Sequence, residues 1–314
     1  MTHIGGNTDG MFQHTLKSVI RLTGIGLHSG AKAVLTISPA APDAGITFIR
    51  TDKRGFAARI PATYANVVDT RLCTVLGNAE GTTVGTVEHV LAALSGCGID
   101  NAVLAIDGPE VPIMDGSSAS FVAAIERTGR VEQDAPRRVI RVLKPVTVGN
   151  GLVTASLMPS ERPEFSFEID YGSTVIGQQA LHFELSAGAF GDEIGDARTF
   201  CFLRDVEAMR NAGLARGGSL DNAVVVDEEQ DRVLNTEGLR SPDEFVRHKV
   251  LDAVGDLYLA GGPILGRYHG SRAGHALNNQ LLRALFADRS AWCWDTPAAL
   301  MPSGWCEYQP RAVA

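Results

Sequence analysis

The chain has 314 residues, 45% hydrophobic and 20% charged, which leaves room for two cores and excludes disorder as the state of its bulk. Lys and Arg number 28 against 36 Asp and Glu; the net charge of −8 argues against a general nucleic-acid binder but not against a local pocket for a small phosphorylated ligand. Five cysteines, an odd number with no CxxC pair, argue against a disulfide framework or a thiolate zinc knuckle and suit a reducing compartment.

Residues 1–14 are polar and Gly-rich and read as a frayed tail without the apolar core of a signal peptide. No run approaches the roughly 18 apolar residues of a membrane span, so the expected setting is cytoplasmic, with contact at a membrane surface left open. Short β-branched runs, Val19–Leu22, Ala33–Ile37 and Ile46–Ile49, predict strands. A helix is expected over about 84–95, capped by Thr82 or Thr83 and ended by Gly96-Cys97-Gly98. A strand at 101–106 and a helix from Ser118 to Arg127 follow. The polar stretch 132–138, with Pro136, marks a domain boundary. Strands resume over 138–143, 146–148, 152–157 and 165–169, and a helix over 202–212. Asp221-Asn222-Ala223-Val224 repeats Asp100-Asn101-Ala102-Val103, each after a helix ending in Gly, which hints at two copies of one unit. The expectation is an α+β fold in two packed layers with a site between them. Its limits are a tail at 1–14, domain I at 15–134, domain II at 135–300 and a tail at 301–314.

Ser241 followed three residues later by Glu244 reads as a capping box, with Pro242 at the first helical position. That helix runs to about Ala260, where Gly261-Gly262-Pro263 stops it. Val246, Val250, Ala253, Val254 and Leu257 form its core side. His248, Asp252 and Asp256, spaced by four, stack on another face, about 200° from the core side at 3.6 residues per turn. Phe245, Leu251 and Leu259 border that face, so it is partly buried, and a buried Asp without a partner costs several kcal/mol or more. A cation would remove that cost; a solvated face is the alternative. Glu88 and His89 stand side by side in an otherwise apolar helix. His89 is either a satisfied core histidine or a third ligand, and Glu88 the carboxylate that metal-assisted hydrolysis needs beside a bound water. His275 is either a surface histidine at a helix start or a general acid, its charge supported by Asp256.

In these residues the chain resembles the UDP-3-O-acyl-N-acetylglucosamine deacetylases of lipid A biosynthesis. The carrying segments are Gly24–Gly30, Val87-Glu88-His89, Ala197-Arg198-Thr199-Phe200, His248–Leu257 and Gly274–Asn279, in the family's order over about residues 15–290. The resemblance implies two similar domains, each a sheet on two helices, in a β-α-α-β sandwich. It implies one catalytic Zn²⁺ on His89, His248 and Asp252, with Glu88 as general base, His275 as general acid, Asp256 supporting it, and Thr199 donating to the oxyanion. Lys249 and Phe200 would contact the nucleotide-sugar, and Val206, Ala215, Gly218, Ser219 and Val225 would line an acyl passage. Cys73 would lie near the site, or else be an inert buried thiol; His28 matches a motif but reads equally as a turn residue. The family further implies a monomer and a UDP-sugar as the small-molecule partner. Two departures stand out: Ser173-Thr174 replaces a common His-Pro, and Ser118 a common Ala. The competing readings are a zinc amidohydrolase acting on a peptide or another N-acetyl sugar, and a non-catalytic module with structural zinc.

Overall fold

The computed structural model describes residues 11–172, 175–186 and 188–296; Ser173, Thr174 and the expected tail at 301–314 lie outside them. The first part of the chain contributes β1 (Phe12–Leu16), β2 (Ile20–Ile25), β3 (Lys32–Pro39), β4 (Ile46–Arg50), β5 (Arg59–Pro61), β6 (Val67–Asp69), β7 (Val75–Gly77), β8 (Thr83–Val84), α1 (Glu88–Gly96), β9 (Ala102–Ile106), α2 (Ala119–Thr128) and β10 (Arg130–Pro136). The second contributes β11 (Val139–Val142), β12 (Val146–Asn150), β13 (Val153–Met158), β14 (Pro163–Asp170), β15 (Gln178–Glu184), β16 (Phe200–Phe202), α3 (Leu203–Asn211), β17 (Val224–Asp227), β18 (Arg232–Val233), α4 (Glu244–Tyr258), β19 (Ile264–Ser271), α5 (His275–Ala287) and β20 (Trp292–Asp295).

Two sheets share one strand order. The first runs β2-β3-β9-β4-β5, with β9 antiparallel to β3 and parallel to β4. In the second, β12-β13-β19 continues to β14 and β15, with β19 antiparallel to β13 and parallel to β14. In each unit one helix precedes the central strand and one follows it, so α1 corresponds to α4 and α2 to α5. Period-two burial aims Ala33, Leu35 and Ile37 of β3, and Phe165, Phe167 and Ile169 of β14, at the core. The helices fill the space between the sheets, giving the α+β sandwich of two like units. Smaller sheets are inserted at corresponding places: β6-β7-β8 before α1, and β16-β17-β18 before α4.

The repeat is therefore real, but Asp-Asn-Ala-Val does not mark it. Ala102 opens the central strand β9, whereas Val224 opens β17 in an inserted sheet, and the true counterpart of β9 is β19. The polar stretch 132–138 is mostly strand: β10 pairs antiparallel with β1, so Phe12 and His14 are ladder residues and Gln13 an irregularity between them, not tail. Helix α1 starts later than expected, because Thr83 and Val84 pair with β7 and Thr86 sits at φ +54, outside the helical region. No capping box forms at α4. Asp243 is its N-cap, without a side-chain cap bond, and the Glu244 carboxylate turns instead to Arg198. Among the described residues no helix is long and apolar enough to cross a membrane.

Candidate active site

Helices α1 and α4 cross at the middle of the sandwich, and the crossing needs Gly255. A Cβ there would lie 2.0 Å from the Glu88 carbonyl oxygen, closer than any packed contact. The close approach sets His89 of α1 against His248 and Asp252 of α4, all three buried. Their ligand atoms lie within 4.8 Å of one another. Asp252 Oδ1 is 3.3 Å from His248 Nε2 and 3.7 Å from His89 Nε2.

The protonation pattern follows from the partners. His248 Nδ1 faces the Ala197 carbonyl at 3.0 Å; a carbonyl only accepts, so Nδ1 carries the proton and Nε2 presents its lone pair. Burial pushes His248 down to about 4, which keeps the imidazole neutral, as a metal ligand must be. Burial opposes charge on Asp252 as well, but the Lys249 ammonium beside it holds it well below the usual carboxylate range. Lys249 Nζ donates to Asp252 Oδ2 at 2.9 Å, which places this lysine beside the ligand set. Asp252 Oδ1 remains buried with no hydrogen-bond partner among the described residues. A bare carboxylate oxygen facing two imidazole nitrogens is costly alone and suited to a cation, so the donor set fits zinc.

Glu88 opens α1, its carboxylate accepting from Thr74 N at 3.0 Å, and burial pushes its carboxyl up. His275 opens α5, with Nε2 3.8 Å from Glu88 Oε1 and Nδ1 2.8 Å from Asp256 Oδ2. Burial and the positive end of α5 both disfavour its charge. Asp256 and Glu88 outweigh burial and raise His275 to about 9. With its side chain 11% exposed, His275 is no surface histidine. Asp256 also accepts from Thr74 Oγ1 at 2.5 Å and Asn278 Nδ2 at 2.8 Å, and Asn278 Oδ1 accepts from Tyr268 OH at 2.7 Å.

A cavity of about 880 Å³ has Thr199, Phe200, Val206, Ala215, Gly218, Ser219 and Val225 in its wall. The structure thus brings the expected small and apolar residues together around one space. Phe200 packs edge-on against Phe245 and 6.2 Å from the His248 ring, linking the cavity to the ligand cluster. Thr199 is fixed from both sides, its N–H donating to Gly116 O and its carbonyl accepting from Val224 N, each at 2.8 Å. Cys73 is buried in the wall of a neighbouring pocket, where burial and the nearby Glu88 push its thiol up to about 12. His28 lies in the wall between the two spaces, in a loop whose N–H groups at 28 and 29 donate to the Glu110 carboxylate at 2.8 Å.

Sequence reasoning misses Thr74, Asn278, Tyr268 and Glu110. Each is an ordinary residue in a loop, strand or helix, and only tertiary packing brings it to the site. Ser118, noted as a departure, donates to the His89 carbonyl at 2.8 Å and so helps hold α1.

Two buried imidazoles and a carboxylate with one bare oxygen, beside a second carboxylate and a charged imidazole, define a class: a metallohydrolase site at the joint of two like units. Residues 13–287 match the family described as UDP-3-O-acyl N-acetylglycosamine deacetylase (LpxC). The UDP-3-O-acyl-N-acetylglucosamine deacetylase of Phenylobacterium zucineum (strain HLK1) is 54% identical over 282 residues, 90% of this chain and 96% of that one. Proteins of the same name from Vibrio parahaemolyticus and Vibrio cholerae are 49% and 48% identical over 286 residues, 90% of this chain and 93% of each. The chain belongs to this deacetylase family.

Proposed function

We propose that this chain hydrolyses the N-acetyl group of UDP-3-O-acyl-N-acetylglucosamine, releasing acetate and leaving the free amine, a step of lipid A biosynthesis. The observation that carries the reading is Asp252 Oδ1, bare and buried opposite two imidazoles, with Glu88 and His275 3.8 Å from each other beside the same helix crossing. A zinc ion held by His89, His248 and Asp252 would supply Lewis acidity, bringing the pKa of a water toward about 7 and polarising the acetamide carbonyl.

The chain's own residues do the rest. Glu88, its carboxyl raised by burial, takes the proton from the attacking water. The Thr199 hydroxyl donates to the carbonyl oxygen as it gains charge, a contribution of roughly 3 kcal/mol for one such donor. His275, held protonated by Asp256, hands its proton to the departing sugar nitrogen. Asp256 fixes the ring so that Nε2 is the donating atom. Lys249 and Phe200 would contact the nucleotide-sugar, and Val206, Ala215, Gly218, Ser219 and Val225 would take the acyl chain. We also divide the chain near residue 134, a division supported by the like units on either side, and infer a cytoplasmic setting, supported by free Cys73, Cys97, Cys201 and Cys293.

The purified chain, given UDP-3-O-acyl-N-acetylglucosamine, is expected to release one acetate per substrate, and a strong chelator to stop it. Acetate release that persists after metal removal, or hydrolysis of acetylated peptides in preference to the sugar, would overturn the reading.

A further inference from the structure

Arg198 and Glu244 are 2% and 1% exposed, and neither belongs to the cluster described above. Arg198 Nε donates to Glu244 Oε1 at 2.8 Å and Nη2 to Oε2 at 3.1 Å, a two-pronged pair. The Arg198 main-chain N–H donates to the same Oε1 at 3.1 Å, and Arg240 N–H to Oε2 at 2.7 Å. The rest of the guanidinium is directed at Glu237 Oε1 and the Gly238 carbonyl, each at 2.8 Å.

Stability is a weak reason for such a pair. Two ions withdrawn from water gain little over an apolar pair of the same volume. Its position offers a better one. Arg198 lies between Ala197, whose carbonyl meets His248 Nδ1 at 3.0 Å, and Thr199, at the cavity wall. Glu244 lies one turn before His248 on α4. The chain of contacts is closed: Glu244 grips Arg198, Arg198 fixes the peptide of Ala197, and that carbonyl orients the imidazole one turn along from Glu244. We propose that Arg198 and Glu244 are positioning residues, which preset the His248 ring with Nε2 toward Asp252 and hold Thr199 at the cavity.

This inference rests on the reading of His89, His248 and Asp252 as a metal site. Its test measures zinc affinity of the metal-free full chain by competition with a chromophoric chelator, alongside the urea midpoint. Glu244→Gln keeps the shape and removes the charge; Arg198→Lys keeps the charge and removes the fork. Asp100→Asn is the control, since it removes the charge from the part-buried Arg137–Asp100 pair of 2.8 Å without touching the cluster. Both pair variants are expected to lose about 10- to 100-fold in zinc affinity, the usual effect of disturbing a group that orients a ligand. The control is expected to lose stability and keep zinc affinity within about two-fold. Zinc binding by the pair variants as tight as in the unaltered chain, or an equal loss in Asp100→Asn, overturns the inference alone. An unaltered chain that binds no zinc sinks the metal reading and this inference with it. If Glu244→Gln does not fold, Arg198→Lys decides by the same criterion; if neither folds, the pair is structural and the inference fails.

Discussion

Asp256 accepts from Thr74, His275 and Asn278 at once, so its charge is held in place and His275 is kept protonated by it. A general acid works only in its protonated form. With His275 raised to about 9, that form is present below about pH 9 and lost as pH rises through it. The basic limb of kcat/KM is therefore expected near pH 9. Asp256→Asn removes the nearest negative charge, so the limb should move down toward the ordinary histidine value of about 6.5; a limb that stays in place would exclude His275 as its origin. Glu88→Gln keeps the volume and removes the base. Turnover should fall by roughly 10²- to 10⁴-fold while zinc content stays at the unaltered level. Loss of zinc from Glu88→Gln would make Glu88 a ligand instead. Asp256 was legible because side chains four apart on a helix share a face, and Glu88 because Glu88-His89 is out of place in an apolar helix; for His275 the choice of role came only with the family resemblance. The roles of Thr74 and Asn278 were not legible, since a threonine before a short strand and an asparagine in a helix announce nothing until a buried carboxylate is found beside them.

At the scale of elements, the crossing of α1 and α4 decides whether the ligands meet. Gly255 makes it possible, and Gly255→Ala places a methyl 2.0 Å from a backbone oxygen that cannot swing away. The expected cost is roughly 1–3 kcal/mol or more, read as a lower urea midpoint, with reduced turnover because α1 carries Glu88. An unchanged midpoint would mean that the helices separate freely. The long amphipathic elements were read correctly because burial on one face imposes its period on the sequence. The capping box failed because the same Ser-x-x-Glu spacing serves a second purpose: Glu244 is buried against Arg198, and tertiary contact overrides the local motif. β15 escaped notice because Gln178, Gln179 and His182 make it read as polar, although it pairs along its whole length with β14. Strand pairing over a distance, which also joins β1 to β10, leaves little trace in either segment alone.

For the molecule as a whole, two units of one topology build a single site at their joint, and an inserted sheet in the second adds the apolar cavity. Asp-Asn-Ala-Val pointed to the right conclusion by the wrong residues; the duplication is carried by strand order, which sequence reading does not see. Filling the cavity from α3 tests its role. Val206→Trp should lower kcat/KM for a long-chain substrate on the order of 10-fold or more, and for a short-chain analogue much less, so that chain-length selectivity falls. Equal losses for both would remove the cavity from acyl recognition. The central claim, that His89, His248 and Asp252 hold the ion on which hydrolysis depends, is tested most directly by titrating zinc into metal-free protein while acetate release from UDP-3-O-acyl-N-acetylglucosamine is followed. Activity should rise from near zero and level off at one zinc per chain, and Asp252→Ala should not reach that level at the same zinc concentration. Full activity before zinc is added, or one bound zinc per chain with no acetate released, would contradict it.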